Sequence, residues 1–219
     1  MSRNGTNEPD DAGRVSRRGF LKGAGLSAAG AALVDGGLAA LGEAEAAAKD
    51  ARVIGPAATA LTLTVNGKPR NVSAEPRATL ADVLRFDLGL TGTKVVCDRG
   101  SCSACTVWLD RTPVCACMTL VLDAVGRSIT TIEGLAAGDV LHPVQQAFIE
   151  HDAMQCGFCT PGMVMSCAAL LERNPSPTLD DVRAATAGNL CRCGTYPKVF
   201  DATLAAAETG AGKSGSKGK

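Results

Sequence analysis

Aromatic residues make up only 3% of this 219-residue chain: one Trp, one Tyr and five Phe. So few large rings exclude a broad aromatic core and point to small elements packed closely together. A surplus of charge of one sign is also missing. The 22 basic residues are balanced by 22 acidic ones, which removes the excess that nucleic acid or an anionic surface would call for. Histidine is nearly absent. His142 and His151 are the only two, both are expected at the surface, and no acid–base pair stands out in the sequence. The chain therefore carries no candidate for a chemical step. The weakly apolar stretch 23–41 is short and rich in glycine, which argues against a transmembrane helix.

Cysteine, by contrast, is plentiful, with ten in the chain. Scattered through an exported protein they would suggest a disulfide scaffold, but here they gather in short loops, which favours metal. Cys97, Cys102 and Cys105 follow the pattern C-x4-C-x2-C, and Cys115 and Cys117 return a few residues later. Three thiolates on one tight loop and a fourth from a later segment is the spacing of a plant-type [2Fe–2S] site. Gly100, Ser101, Ser103 and Ala104 are small enough to let backbone N–H groups approach the sulfurs. A zinc site would more commonly show two C-x2-C knuckles. Cys115 and Cys117 compete for the fourth position, since two residues apart on a strand they would share a face.

Near the N-terminus, Ser16-Arg17-Arg18-Gly19-Phe20-Leu21-Lys22 matches the twin-arginine export signal at every specified position. Small-residue cleavage candidates follow at Ala44-Glu45-Ala46 and Ala46-Ala47-Ala48. Residues 1–48 are expected to be a signal peptide and 49–60 a linker. Twin-arginine export carries folded proteins, so the expected location is periplasmic and the translocase is an expected partner.

From residue 61 to 134 the pattern predicts a first domain. Leu61, Leu63 and Val65 alternate with polar residues before Asn66-Gly67, a tight-turn signal, so a β-hairpin is expected. Thr79 with Asp82 three residues on opens a helix that ends by Gly89. After the cysteine loop come expected strands at 106–109, 114–122 and 129–132. From 135 to 208 the chain reads as helices. His142-Pro143 starts one, Thr160 as N-cap with Pro161 starts a second, and Thr178 with Asp181 caps a third. A last helix is expected over 197–207, and 209–219 reads as a disordered Gly/Ser/Lys tail. Cys156-x2-Cys159 lies just before the second of these helices and Cys191-x-Cys193 just after the third. Four thiolates from two loops at helix ends form a candidate second cluster site, with a four-cysteine zinc site or two disulfides as alternatives. Cys167 falls in a helix interior and is expected to be core.

These motifs, with Gln155-Cys156-Gly157-Phe158-Cys159-Thr160-Pro161-Gly162 and Gly188-Asn189-Leu190-Cys191-Arg192-Cys193, resemble the iron–sulfur subunit of the molybdenum hydroxylases, the xanthine dehydrogenase and aldehyde oxidase family. The resemblance spans about residues 61–204. It implies an α+β architecture, a β-grasp ferredoxin domain followed by a four-helix domain, each holding one [2Fe–2S] cluster. It implies Cys97, Cys102, Cys105 and Cys117 as ligands of the first cluster, so that Cys115 is a small buried residue. It implies Cys156, Cys159, Cys191 and Cys193 as ligands of the second. It also implies that Gln155 hydrogen-bonds the pterin of a molybdenum cofactor held by a partner subunit, with Cys193 close by. Two residues depart from the family. Where relatives carry glycine, this chain has Ser103 and, at a second such position, Asp98. Keeping a left-handed backbone there would cost each on the order of 1 kcal/mol.

The function implied is electron transfer within an exported molybdenum enzyme that oxidises an aldehyde or an N-heterocycle. Electrons would leave a large molybdopterin-binding subunit through the two clusters to an FAD-binding medium subunit or another acceptor. A free-standing periplasmic two-cluster ferredoxin is the second reading. A zinc or disulfide module is the third.

Overall fold

The computed structural model describes residues 54–214. The twin-arginine motif at 16–22 and the cleavage candidates lie outside the described residues. Five strands form one mixed sheet: β1 (Thr59–Val65), β2 (Lys68–Ala74), β3 (Thr106–Leu109), β4 (Thr112–Cys115) and β5 (Ser128–Thr130). Their order across the sheet is β2-β1-β5-β3-β4. β1 pairs antiparallel with β2 and parallel with β5, while β3 runs antiparallel to both β4 and β5. The expected hairpin forms because Asn66 and Gly67 both adopt positive φ, 52° and 73°, the geometry that matches the strand twist. Leu63 and Val65 then point inward while Thr62 and Thr64 stay exposed.

Helix α1 (Leu80–Asp82) opens on Thr79, whose Oγ1 accepts the Asp82 N–H at 3.2 Å. It widens into a π-helical turn over Val83–Asp87 and closes at Gly89, φ 68°, as the sequence suggests. Leu80, Val83 and Leu84 bury against Leu63, Val107, Leu109 and Ile129. The strand expected over 114–122 is shorter and earlier. β4 begins at Thr112 and ends at Cys115, and two 3-10 turns follow at Ala116–Met118 and Val121–Ala124. The Asp110–Arg111 pair, φ 50° and 64°, makes a two-residue turn, which brings Pro113 into a sheet-edge strand where its missing N–H costs nothing.

Four helices follow: α2 (Pro143–Glu150), α3 (Thr160–Arg173), α4 (Leu179–Thr186) and α5 (Tyr196–Ser214). The mixed α+β class expected from the sequence is what the chain adopts. Thr178 and Asp181 form the anticipated capping box of α4. Two starts and one end differ from expectation. Cys159, not Thr160, occupies the N-cap of α3, without a side-chain cap bond. α5 begins at Tyr196 and runs past Ala207 into the segment expected to be disordered, reaching Ser214. No proline interrupts that stretch, and a helical glycine costs only about 1 kcal/mol. Residues 215–219 lie outside the described residues.

His142 is not a surface residue. Half-buried, it caps α2: its Nδ1 accepts the Val144 N–H at 3.2 Å, and the Gln145 side chain accepts the His142 N–H at 2.9 Å. Burial lowers its pKa from the usual value, partly offset by Glu172. An accepting Nδ1 must be unprotonated, so the folded chain binds fewer protons than the unfolded one just below the ordinary histidine pKa. The stability His142 contributes is therefore complete above about pH 6.5 and declines as pH falls below it. A His142→Asn chain keeps an N-cap acceptor and loses the titration. Its thermal midpoint should fall less between pH 7 and pH 5 than that of the unsubstituted chain. Equal declines would remove His142 as the cause.

A second core joins α2, α3 and α5 through Val144, Phe148, Met163, Cys167 and Val199. Cys167 is fully buried, as expected of a packing residue, and burial pushes its thiol up to about 11. Trp108 belongs to this core although it lies on β3. Its Nε1–H donates to the Met165 carbonyl in α3 at 2.9 Å. Sheet and helices therefore share one buried residue.

Candidate metal centre

The loop from Cys97 to Cys105 joins α1 to β3 with no helix or strand of its own. Asp98 and Ser103 both take φ 52° there, and Gly100 takes 70°. The left-handed backbone is thus kept at the two positions where this chain departs from glycine. It turns N–H groups inward, and the Ser101 N–H donates to Cys97 Sγ at 3.3 Å. Met118 covers Gly100 closely enough that a Cβ there would lie 2.9 Å from Met118 Cγ. A residue larger than glycine would have to displace that side chain.

All ten cysteines are free thiols, and the ones singled out from the sequence meet in pairs. Cys97 faces Cys102, and Cys105 faces Cys117. In the second set Cys156 faces Cys193, and Cys159 faces Cys191. In the Cys97/Cys102, Cys156/Cys193 and Cys159/Cys191 pairs the two thiols move in opposite directions, as sulfurs sharing a proton do. The Arg99 backbone N–H, with Cys102 beside it, lowers Cys97 to about 7, while burial raises Cys102. Burial, with Cys191 alongside, pushes Cys159 up to about 12. Burial also acts upward on Cys191, but the Thr195 hydroxyl (3.3 Å) and the loop N–H groups outweigh it and bring that thiol down to about 7. The Phe158 N–H and the Cys193 thiol lower Cys156. Burial lifts Cys105 to about 12.

A 3-10 turn separates the surroundings of Cys115 and Cys117. With the strand ending at Cys115, the two do not lie two apart on a strand. Cys117 sits on the turn, 5% exposed. Cys115 is half-buried at the end of β4, its Sγ 3.7 Å from Ser103 Oγ. Periodicity cannot show this, because the break in the strand is set by the packing of Ala116 and Val121 into the first core.

The donor set suits a dinuclear centre. Four-cysteine zinc needs all four thiolates around one point, whereas here sulfurs converge two by two, as two bridged irons require. Among the described residues, no three Cys, His, Asp or Glu side chains gather tightly enough to hold a single ion. Cys97 and Cys102 from the first set and Cys156, Cys159 and Cys191 from the second line one cleft of about 540 Å³. Gln155, Cys156 and Cys193 are exposed.

Residues 63–127 match the 2Fe-2S iron-sulfur cluster binding domain family, and residues 131–204 match the [2Fe-2S] binding domain family. The nicotine 6-hydroxylase small subunit of Paenarthrobacter nicotinovorans is 49% identical over 144 residues, 66% of this chain and 87% of that one. The aldehyde oxidoreductase iron-sulfur-binding subunit of Escherichia coli K12 is 39% identical over 227 residues, covering 97% of this chain and 94% of its own. The chain belongs to the iron–sulfur small subunits of the xanthine dehydrogenase and aldehyde oxidase family. Among solved structures, quinoline 2-oxidoreductase from Pseudomonas putida 86 superposes with TM-score 0.68 at 46% identity, over 70% of this chain and 96% of the matched one. As a small subunit of this family the chain serves an oxidoreductase by electron transfer and does not itself perform the chemical step.

Sequence reasoning passed over Tyr196. It is the only tyrosine and lies three residues after Cys193, a placement that could have drawn notice. Its hydroxyl accepts the Cys191 N–H at 2.8 Å and donates to the Asn189 carbonyl at 3.0 Å.

Proposed function

We propose that the chain is the electron-transfer subunit of an exported molybdenum-dependent oxidoreductase acting on aldehydes or N-heterocycles. The observation that carries this reading is the pairing of eight thiols into two sets, Cys97/Cys102 with Cys105/Cys117, and Cys156/Cys193 with Cys159/Cys191. Each set would hold one [2Fe–2S] cluster, which when bound accepts and releases one electron at a time. The residues of this chain do the rest. The cysteine loops supply N–H groups to the sulfurs, such as that of Ser101 to Cys97, and leave Cys156 and Cys193 at the surface. Gln155 beside them offers an amide able to hydrogen-bond a pterin carried by a large partner subunit. An FAD-binding subunit is the proposed acceptor. The Ser16–Lys22 motif supports export by the twin-arginine translocase to the periplasm. Relatives named for nicotine, nicotinate and aldehydes support the two substrate classes.

The deciding experiment is metal and sulfide analysis of the purified chain with EPR after dithionite reduction. About four irons and four sulfides, two for each centre, with two rhombic signals are expected. Two irons with one signal would sink the two-centre reading. Expression with its neighbouring genes should bring down a molybdopterin-containing subunit. Isolation alone with both clusters would turn the reading to a free-standing ferredoxin.

A further inference from the structure

A continuous polar network joins the two cysteine loops, and it uses none of the eight paired sulfurs. Asn189, 3% exposed, donates from Nδ2 to the Ser103 carbonyl at 3.2 Å, across 86 positions of sequence. The Asn189 carbonyl in turn accepts from the Tyr196 hydroxyl at 3.0 Å, and that hydroxyl accepts the Cys191 N–H at 2.8 Å. Beside this chain the Leu190 N–H donates to the Cys102 carbonyl at 3.1 Å. One hydrogen bond thus separates the backbone of Cys102 from the residue that precedes Cys191. The contact is tight. A Cβ on Gly162 would fall 2.3 Å from the Ser103 oxygen and 3.0 Å from Ala104 Cα, both backbone atoms that cannot swing away. Ser103 is held from its own side as well, since Thr106 Oγ1 donates to the same carbonyl at 2.7 Å.

We infer that Asn189 and Tyr196 are positioning residues that lock the two cysteine loops at one separation and orientation, and so set the coupling between the centres those loops hold. The inference rests on reading both loops as cluster sites. Electron exchange between two centres favours continuous covalent and hydrogen-bonded routes and weakens steeply when a through-space gap opens. The route here is Cys102 carbonyl to Leu190 N–H to Cys191, and nothing in Leu190 itself fixes its length, because that side chain is 57% exposed. The neighbours do so. Asn189 ties the segment to the first loop, and Tyr196 ties the Asn189 carbonyl to the Cys191 amide. Tyr196 also occupies that amide, which is then not available to a sulfur, an outer-layer control over the centre itself. Its ring is anchored against Phe200 at 6.3 Å between centroids, so the hydroxyl is presented rigidly.

The test uses the full chain loaded with iron and sulfide. Tyr196→Phe keeps the ring and removes only the hydroxyl. Asn189→Asp keeps the shape but faces the Ser103 carbonyl with a carboxylate in place of a donor. Both should retain about four irons per chain and both EPR signals. At low temperature, with both centres reduced, the magnetic splitting of each signal by the other should be reduced or lost. Intramolecular electron exchange after a fast one-electron pulse should be slower. Both clusters present with splitting and exchange unchanged would overturn the inference and leave the function intact. A Tyr196→Phe chain that loads only one cluster would overturn it too, assigning Tyr196 to folding of the second loop. An unsubstituted chain that binds no iron would overturn the function, and this inference with it.

Discussion

Replacing Cys117 with alanine should cost the chain one whole centre, whereas replacing Cys115 should cost none. The two differ by two positions, and the expectation rests on the turn between them. Cys117 lies in the Ala116–Met118 turn with its thiol against Cys105, and both are almost fully enclosed, at 5% and 2% exposure. Cys115 ends β4 with Ser103 Oγ as its near neighbour at 3.7 Å. A Cys117→Ala chain is expected to fall from about four irons to about two, keeping only the signal of the centre held by Cys156, Cys159, Cys191 and Cys193. A Cys115→Ala chain should keep all its iron and both signals. Cys191→Ala makes the complementary loss, sparing the first centre. Iron analysis and EPR on the three proteins settle the assignment. If Cys115→Ala loses the first signal and Cys117→Ala keeps it, the assignment must be reversed.

Much of this site could be read from the chain because its information is local. The C-x4-C-x2-C run, the C-x2-C and the C-x-C each place thiols on one loop whatever the rest of the fold does, and their order names the family. The Thr79 and Thr178 caps are equally local, since each side chain meets an amide three residues away, and the Asn66-Gly67 turn lies in the backbone angles of its own two residues. What escaped the sequence was set at long range. The strand after Pro113 stops at Cys115 because Ala116 and Val121 must enter the core beneath Leu80, and no period-2 pattern records that. His142 is the exception: its bond from the Val144 N–H is local, but a histidine ring is not among the side chains that usually mark an N-cap. Gly162 reads as one more small residue of a motif. Its role is to let α3 press on the Ser103 carbonyl, and no neighbour in sequence announces it. Asn189 is of the same kind, since its side-chain partner, the Ser103 carbonyl, lies in the other loop.

The largest effect on stability is expected at Trp108, for the same long-range reason. All four residues of β3 are buried, which a strand covered on one face cannot achieve. Val107 and Leu109 enter the first core, and Trp108 turns the other way into the second, among Phe148, Met163 and Ala168. Its indole N–H reaches the Met165 carbonyl at 2.9 Å. Trp108→Ala removes a large buried ring from between sheet and helices and should cost about 3–5 kcal/mol. With a denaturant slope of about 2–3 kcal/mol per molar, the urea midpoint of the cluster-loaded chain should drop by roughly 1–2.5 M. Trp108→Phe keeps most of the apolar area and loses the hydrogen bond, so about 0.5–1.5 kcal/mol is expected from that bond. The residue also supplies its own probe, being the only tryptophan in the chain. Its emission should red-shift at the same urea concentration at which far-UV circular dichroism is lost, because sheet and helices share this side chain and should unfold as one unit. An indole that becomes solvated well before the helices melt would show that the two halves separate first. The contact between the cysteine loops would then rest on the Asn189 and Leu190 hydrogen bonds and the close approach of Gly162.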